Sequence, residues 1–193
     1  MPTLTGKFVR LEPLSISHAQ DLWRNTGGDS EIWRWTLVKF PIPQSQTDFE
    51  DLIAAMTSEN ENREPFAVID IRSNQVVGST SYLDLHPELH SLEIGSTFYS
   101  ESARRTAINT ETKLLLLTEA FGVRDCERVA LKADNLNERS LRAIERIGAK
   151  REGILRKHQL RRDGSLRDTV YFSIIKEEWP EVKAKLLSKL AHQ

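Results

Sequence analysis

Several short stretches of this sequence carry side chains that could do chemistry. One is Arg104-Arg105-Thr106-Ala107-Ile108-Asn109-Thr110. It stands between a strand-like run and a long helical pattern, so its N–H groups would head a helix. Such N–H groups and the helix dipole favour anions, although the stretch also reads as a plain helix start with two exposed arginines. A second is the pair Asn137 and Ser140, which share one side of a helical first turn. Asn137 suits an N-cap, with Asn135 as an alternative. A third is Glu93, inside an apolar, strand-like run. Alternation sets Glu93 and Gly95 on one face of that strand and Ile94 and Ser96 on the other. The carboxylate can serve there as a base or as half of a cross-strand ion pair. Trp33, Trp35 and Phe40 form an aromatic group of a kind more often found in cores than in binding sites. His86, His90 and His158 lack metal-ligand spacing, and the lone Cys126 has no partner that would mark it as a nucleophile, so no metal is expected.

The elements that must position these residues follow from periodicity and breakers. Residues 7–11, 65–71, 76–85, 91–99 and 128–133 read as strands. Two long strands later in the chain meet at Asp163-Gly164, a dipeptide suited to a tight hairpin. Helical patterns carry Ala19, Leu22 and Trp23 (capped by Ser15 or Ser17), and Phe49, Leu52, Ile53 and Met56 (capped by Ser45 or Thr47). Residues 29–35 read as a turn or short helix. Residues 106–121 form a long helix with Gly122 as its breaker, residues 137–147 a helix closed by Gly148, and residues 176–190 a final helix. The order β-α-α-β-β-β-α-β-α-β-β-α predicts an α/β (α+β) fold, a mixed and mostly antiparallel sheet of about seven strands flanked by helices. It lacks the regular alternation and Gly-rich first turn of a doubly wound dinucleotide fold.

Bulk composition narrows the function classes. The chain has 193 residues, 39% hydrophobic and 28% charged, which suits one folded domain over 1–193 rather than a disordered chain. A net charge of -1 provides no global field for nucleic acid or anionic lipid. The longest aliphatic block, Leu114 to Leu117, is far short of a membrane span, and the first residues lack signal-peptide character. The expected compartment is a reducing cytoplasm. One run departs from neutrality: residues 139–168 hold ten Lys/Arg against four Asp/Glu. It is either a solvated face or a site for a polyanionic ligand.

Several segments together resemble the GNAT N-acetyltransferases, in particular the branch of ribosomal-protein N-terminal acetyltransferases. They are Leu4-Thr5-Gly6-Lys7-Phe8-Val9-Arg10-Leu11-Glu12-Pro13-Leu14, Glu31-Ile32-Trp33-Arg34-Trp35, Leu92-Glu93-Ile94-Gly95, Asn137-Glu138-Arg139-Ser140, Ile144 to Ala149, Glu152 to Arg156, and Arg167 to Ile175 followed by Glu178-Trp179. The resemblance spans nearly the whole chain and implies acetyl transfer from acetyl-CoA to a primary amine. It implies that the backbone around Ile94 and Gly95 meets the acetyl group and pantetheine, with Glu93 as candidate base. It implies that Asn137 binds the pantetheine arm and that the Ser140 hydroxyl meets the sulfur and protonates the leaving thiolate. Asp134 and Asn135 would lie near the cofactor arm.

The pyrophosphate would sit on Arg104, Arg105, Thr106, Ala107, Asn109 and Thr110. Here the sequence departs from the family, whose loop reads Gln/Arg-x-x-Gly-x-Gly/Ala. Ala107 fits the last position, but Ser102 and Arg105 stand at the first and fourth. Two arginines and the Thr106 hydroxyl could compensate through their side chains. The missing glycine also motivates a second reading, a non-catalytic acyl-CoA-binding or regulatory module. The acceptor pocket would draw on Trp33, Trp35 and Phe40, with Glu152 facing the amine channel or held in an ion pair with Arg151 or Arg156. The partners so implied are acetyl-CoA and an amine acceptor, either a peptide N-terminus or a small molecule. Neither nucleic acid nor membrane is expected, and assembly as a homodimer is left open.

Overall fold

Phe66, Ala67, Val68 and Ile69 are consecutive, apolar and buried. Such a run must be covered on both faces. Phe66 and Val68 enter one core, while Ala67 and Ile69 enter another on the opposite side of the sheet. The computed structural model, which describes residues 1–36, 41–58 and 62–193, builds the rest of the chain around that division. The elements are β1 (Leu4–Thr5), β2 (Val9–Pro13), α1 (Ala19–Thr26), α2 (Ser30–Trp33), α3 (Gln46–Met56), β3 (Arg63–Asp70), β4 (Gln75–His86), β5 (Ser91–Tyr99), α4 (Ala107–Gly122), β6 (Arg128–Asp134), α5 (Glu138–Arg146), β7 (Lys150–Leu160), β8 (Leu166–Ile175) and α6 (Trp179–Ala191).

The strands form one sheet in the order β1-β2-β3-β4-β5-β6-β8-β7. Among its neighbouring pairs, only β5 and β6 run parallel; the others are antiparallel. The sheet therefore has eight strands where the sequence suggests about seven. The addition is β1, whose pairs Leu4↔Leu11 and Thr5↔Arg10 are too short to leave a periodic signal. The core on one face packs Leu114, Leu117 and Phe121 of α4 and Val182, Leu186 and Leu190 of α6 against the sheet. Phe121 stacks on Trp179 with ring centroids 5.4 Å apart. On the other face α1 to α3 cover β3 and β4, where Trp33 packs against Phe49 and Phe98.

The caps follow local chemistry. Ser45, not Thr47, caps α3 by accepting a bond from the Asp48 N–H at 3.2 Å. Gly148 ends the α5 segment at φ +101°. Gly122 does not act as the expected breaker. It is the last residue of α4, and the left-handed turn falls on Asp125, at φ 54°.

One buried carboxylate ties the chain's beginning to its central helix. Glu111 on α4 accepts the N–H groups of Lys7, Phe8 and Val9 at 2.8, 2.6 and 2.7 Å. Gly6 is needed for this approach, since a Cβ there would lie 2.4 Å from the Glu111 carboxyl carbon. Glu111→Ala leaves three donors at least partly buried without an acceptor. It should lower unfolding free energy by roughly 3 kcal/mol, measured by urea titration. A loss below about 0.5 kcal/mol would mean that water replaces the carboxylate.

Candidate active site

β5 and β6 pair at Ser91↔Arg128, Leu92↔Val129 and Glu93↔Ala130, and no further. Both strands continue, to Tyr99 and Asp134, so the sheet splits beyond these three pairs. A bulge in β5 accompanies the split. Ser81 faces Gly95 and Ser79 faces Phe98, which leaves Ser96 and Thr97 together opposite Thr80, with Ser96 at φ 47°. A bulge bends its strand and frees backbone groups from the ladder. Each diverging strand then leads to a helix: β5 to α4, and β6 to α5. Their N-termini thus follow the C-terminal ends of the two parallel strands, where ligands bind in open α/β sheets.

The loop before α4 replaces glycine chemistry with an arginine. Arg105 adopts φ 60°, the left-handed conformation that glycine enters most easily. The backbone turn is therefore made without the glycine. The side chains of this loop are less available than their types suggest. Arg104 is bound to Asp29 in the α1–α2 connection. The Thr106 hydroxyl accepts from the Ile108 N–H at 3.2 Å and donates to the Ala103 carbonyl at 2.7 Å. Ala107 and Thr110 are buried and Asn109 is half-buried. Arg105 is exposed, and its guanidinium has no hydrogen-bond or ionic partner among the described residues.

At the mouth of α5, Asn137 caps the helix by accepting the Ser140 N–H at 3.1 Å. Asp134 accepts both Arg161 Nε at 2.7 Å and Arg161 Nη2 at 2.9 Å. Burial opposes charge on Asp134, but the guanidinium holds its carboxyl below the usual range. Arg161 also reaches Asn135 Oδ1 at 3.0 Å, so the β7–β8 hairpin is latched to the end of β6.

Glu93 lies at the last β5–β6 pair, on the face away from α4. Its carboxylate meets Lys132 Nζ at 2.5 Å, and Lys132 also reaches Asp84 at 3.1 Å. Burial pushes the Glu93 carboxyl up, against the pull of Lys132. Although burial works against its charge, the two carboxylates hold the Lys132 ammonium above the usual lysine range. Glycine at 95 makes room for this group: a Cβ there would sit 2.8 Å from Glu93 Oε1 and 2.7 Å from Leu83 Cδ1. Ile94 is buried in the α4-side core, so only its backbone faces the opening.

Two open clefts adjoin the α5 end. The larger, about 590 Å³, lies between Gly27, Trp33 and Trp35 on one side and Arg161, Arg162 and Asp163 of the hairpin on the other. The smaller, about 230 Å³, joins Trp35 to Asn137 and Arg139. Trp33 is mostly core, its indole N–H donating to the Thr26 carbonyl at 3.3 Å, while Trp35 touches both clefts. Phe40 lies outside the described residues.

The structure thus brings the β5 residues, the α4 loop, Asn137, Ser140 and Trp35 to one end of the split. Glu152 stands on β7, two strands out from β6, with its carboxylate engaged. Glu152 is held by Arg128, with 2.6 Å between Arg128 Nη2 and Oε2, and by Ser173 at 2.7 Å. The strand register sets Glu152 level with Leu131 and Lys132, near the last β5–β6 pair, and its bond to Ser173 falls beside Ala130. The ion pair foreseen with Arg151 or Arg156 forms with Arg128 instead.

Sequence reasoning missed Lys113. It is 6% exposed on α4, donates to Thr97 Oγ1 at 2.9 Å, and has no carboxylate partner among the described residues. Burial pulls its ammonium down to about 7. The signal was a lysine directly before the apolar run Leu114 to Leu117. Because the folded state gives up this proton well below the unfolded lysine, stability should rise with pH from 7 upward. In urea titrations the wild type should gain roughly 1–2 kcal/mol more than Lys113→Met between pH 7 and 9. Equal changes in the two proteins would rule Lys113 out as the titrating group.

The chain as a whole has relatives. The family model described as "Acetyltransferase (GNAT) domain" matches residues 9–150. A T. thermophilus protein assigned as an acetyltransferase is 37% identical over 98% of each chain, with a TM-score of 0.88. A GCN5-related N-acetyltransferase from Brucella melitensis is 31% identical over 97% of this chain and 84% of its own, with a TM-score of 0.89. Mycobacterium smegmatis RimJ in complex with CoA-disulfide shares the fold, with a TM-score of 0.81 at 20% identity, over 94% of this chain and 88% of its own. No curated protein matches the chain. The family match and these identities establish that the chain belongs to the GNAT acetyltransferases.

Proposed function

We propose that the chain transfers an acetyl group from acetyl-CoA directly to a primary amine, with the β5–β6 split as the cofactor cleft. The observation that carries this reading is the end of pairing after Glu93↔Ala130, with the N-termini of α4 and α5 beside the opening. The α4 loop fits a pyrophosphate. Arg105 gives the backbone turn, and its free guanidinium offers charge-assisted hydrogen bonds. The fold neighbour solved with CoA-disulfide supports the same ligand class. The missing glycine was the motive for a binding-only module, and the left-handed backbone of Arg105 removes that motive.

Bound acetyl-CoA supplies an activated acyl group. The chain's part is to orient it and to manage two protons. Backbone groups freed by the β5 bulge would hold the acyl oxygen, a form of electrostatic stabilisation that needs no special side chain. Glu93 would take the amine's proton, directly or through water, from its place at the apex of the split. Its raised affinity for a proton brings it nearer the neutral range than an exposed carboxylate. Ser140 would donate a proton to the leaving sulfur from the first turn of α5. The larger cleft, with Trp35 on its wall, would take the acceptor, a peptide N-terminus or a small amine. The single free and buried Cys126 suits a reducing cytoplasm.

Calorimetric titration with acetyl-CoA and a thiol-release assay over an amine panel test the reading. Binding with turnover is expected. Tight binding with no turnover on any amine would leave only the module, and no binding would end both. Ser140→Ala should lower kcat by roughly a hundredfold or more with acetyl-CoA affinity little changed; an unchanged kcat would make Ser140 a structural residue. Arg105→Ala should weaken acetyl-CoA binding by roughly tenfold, and unchanged affinity would remove Arg105 from the site.

A further inference from the structure

Lys113 is an expensive residue for this fold. It is a buried ammonium with no counter-charge among the described residues, and such a group is destabilising unless hydrogen bonds and other contacts compensate. The neighbouring acid on the helix, Glu111, spends its oxygens on the β1–β2 backbone. What Lys113 does touch is informative. Its Nζ donates to Thr97 Oγ1 at 2.9 Å, Thr97 lies 2.7 Å from Thr80 Oγ1, and Thr97 donates to the Gly95 carbonyl at 3.3 Å. One proton arrangement satisfies all three bonds. Thr97 accepts from Lys113 and Thr80, and gives its own proton to Gly95. These residues straddle the bulge at Ser96. The chain of bonds therefore runs from the helix that begins at the Arg105 loop to the peptide that follows Gly95, at the split.

We propose that Lys113 is a positioning residue for acetyl transfer: through Thr97 it locks the β5 bulge to α4 and so fixes the acyl-holding backbone relative to the phosphate loop. This rests on the reading of the β5–β6 split as the cofactor cleft. The bond from Lys113 Nζ is strongest in its ammonium form, and bonds in a chain polarise one another. The Thr97 bond to the Gly95 carbonyl thus polarises the Gly95–Ser96 peptide unit as well as holding it. Misplacement by an ångström or less at a reacting centre is costly to rate, whereas the pyrophosphate contacts lie on the far side of this link.

Lys113→Met, Thr97→Val, Thr97→Ser and the Met/Val double variant test it, using acetyl-CoA titration, thermal melting and turnover on the best amine of the panel. Lys113→Met should melt at or above the wild-type temperature and bind acetyl-CoA within about threefold, yet lose roughly tenfold or more in kcat. Thr97→Val should match it, the double variant should lose no more than either single one, and Thr97→Ser should stay near wild type because it keeps the hydroxyl. If Lys113→Met fails to fold, Thr97→Val carries the same expectation with the lysine in place. A kcat within about twofold of wild type in the folded variants, or losses that simply add in the double variant, would overturn the inference while leaving the cleft intact. A wild-type protein that binds no acetyl-CoA would overturn the reading of the cleft itself, and the inference with it.

Discussion

Everything about this molecule turns on three residue pairs. In the sheet ladder, the antiparallel strands β1 to β5 and the antiparallel group β6, β8, β7 are paired through Ser91, Leu92 and Glu93 against Arg128, Val129 and Ala130. A longer ladder would close the split. A shorter one would leave the halves joined by helices alone. Other interactions hold this seam at its length. The Glu93–Lys132 ion pair clamps its last step, and the β5 bulge turns the strand aside directly afterwards. Below the sheet, α4 and α6 pack across both halves, with Phe121 on Trp179 as one contact.

The two sides of the opening are built differently. Where the cofactor is proposed to bind, the backbone would supply the contacts: a left-handed residue, two helix N-termini and a bulge. Side chains there are mostly engaged elsewhere, with Arg104 on Asp29 and the Thr106 hydroxyl on its own helix. On the clefts' side the walls are side chains, from the α1–α2 region and from a hairpin latched by Arg161 to Asp134 and Asn135. Backbone sites tolerate sequence change so long as the conformation survives, and Arg105 in place of a glycine is an instance. Side-chain walls change their chemistry with each substitution, so the acceptor is the harder partner to read from the chain.

What could be read from the sequence was local. The cap at Asn137, the Ser140 position in the same turn and the stop at Gly148 depend on neighbours within a few residues, and each leaves a pattern. Strands of five or more residues were visible by sequence pattern, whereas the two-residue β1 was not. Contacts between distant residues left no trace. Glu111 serves N–H groups more than a hundred residues earlier, and Glu152 found Arg128 rather than either arginine near it in the sequence. The left-handed turn at Arg105 was invisible for another reason: an arginine carries no mark of the backbone conformation that its surroundings impose. Of the Lys/Arg-rich run over residues 139–168, Arg161 and Arg162 line the larger cleft.

The outer strand of the sheet has its own consequence. β7 is an edge along all eleven residues, from Lys150 to Leu160, with nearly every side chain exposed. An open row of N–H and C=O groups is a template on which another polypeptide can add itself, and Ile154, Leu155 and Leu160 would reward it. Lys150, Arg151, Arg156 and Lys157 lie along the same strand. At the protein concentrations of a crowded compartment, these four cations act as gatekeepers. They make fibril-like stacking on this edge electrostatically costly, and they favour colloidal solubility where hydrophobicity alone would favour aggregation.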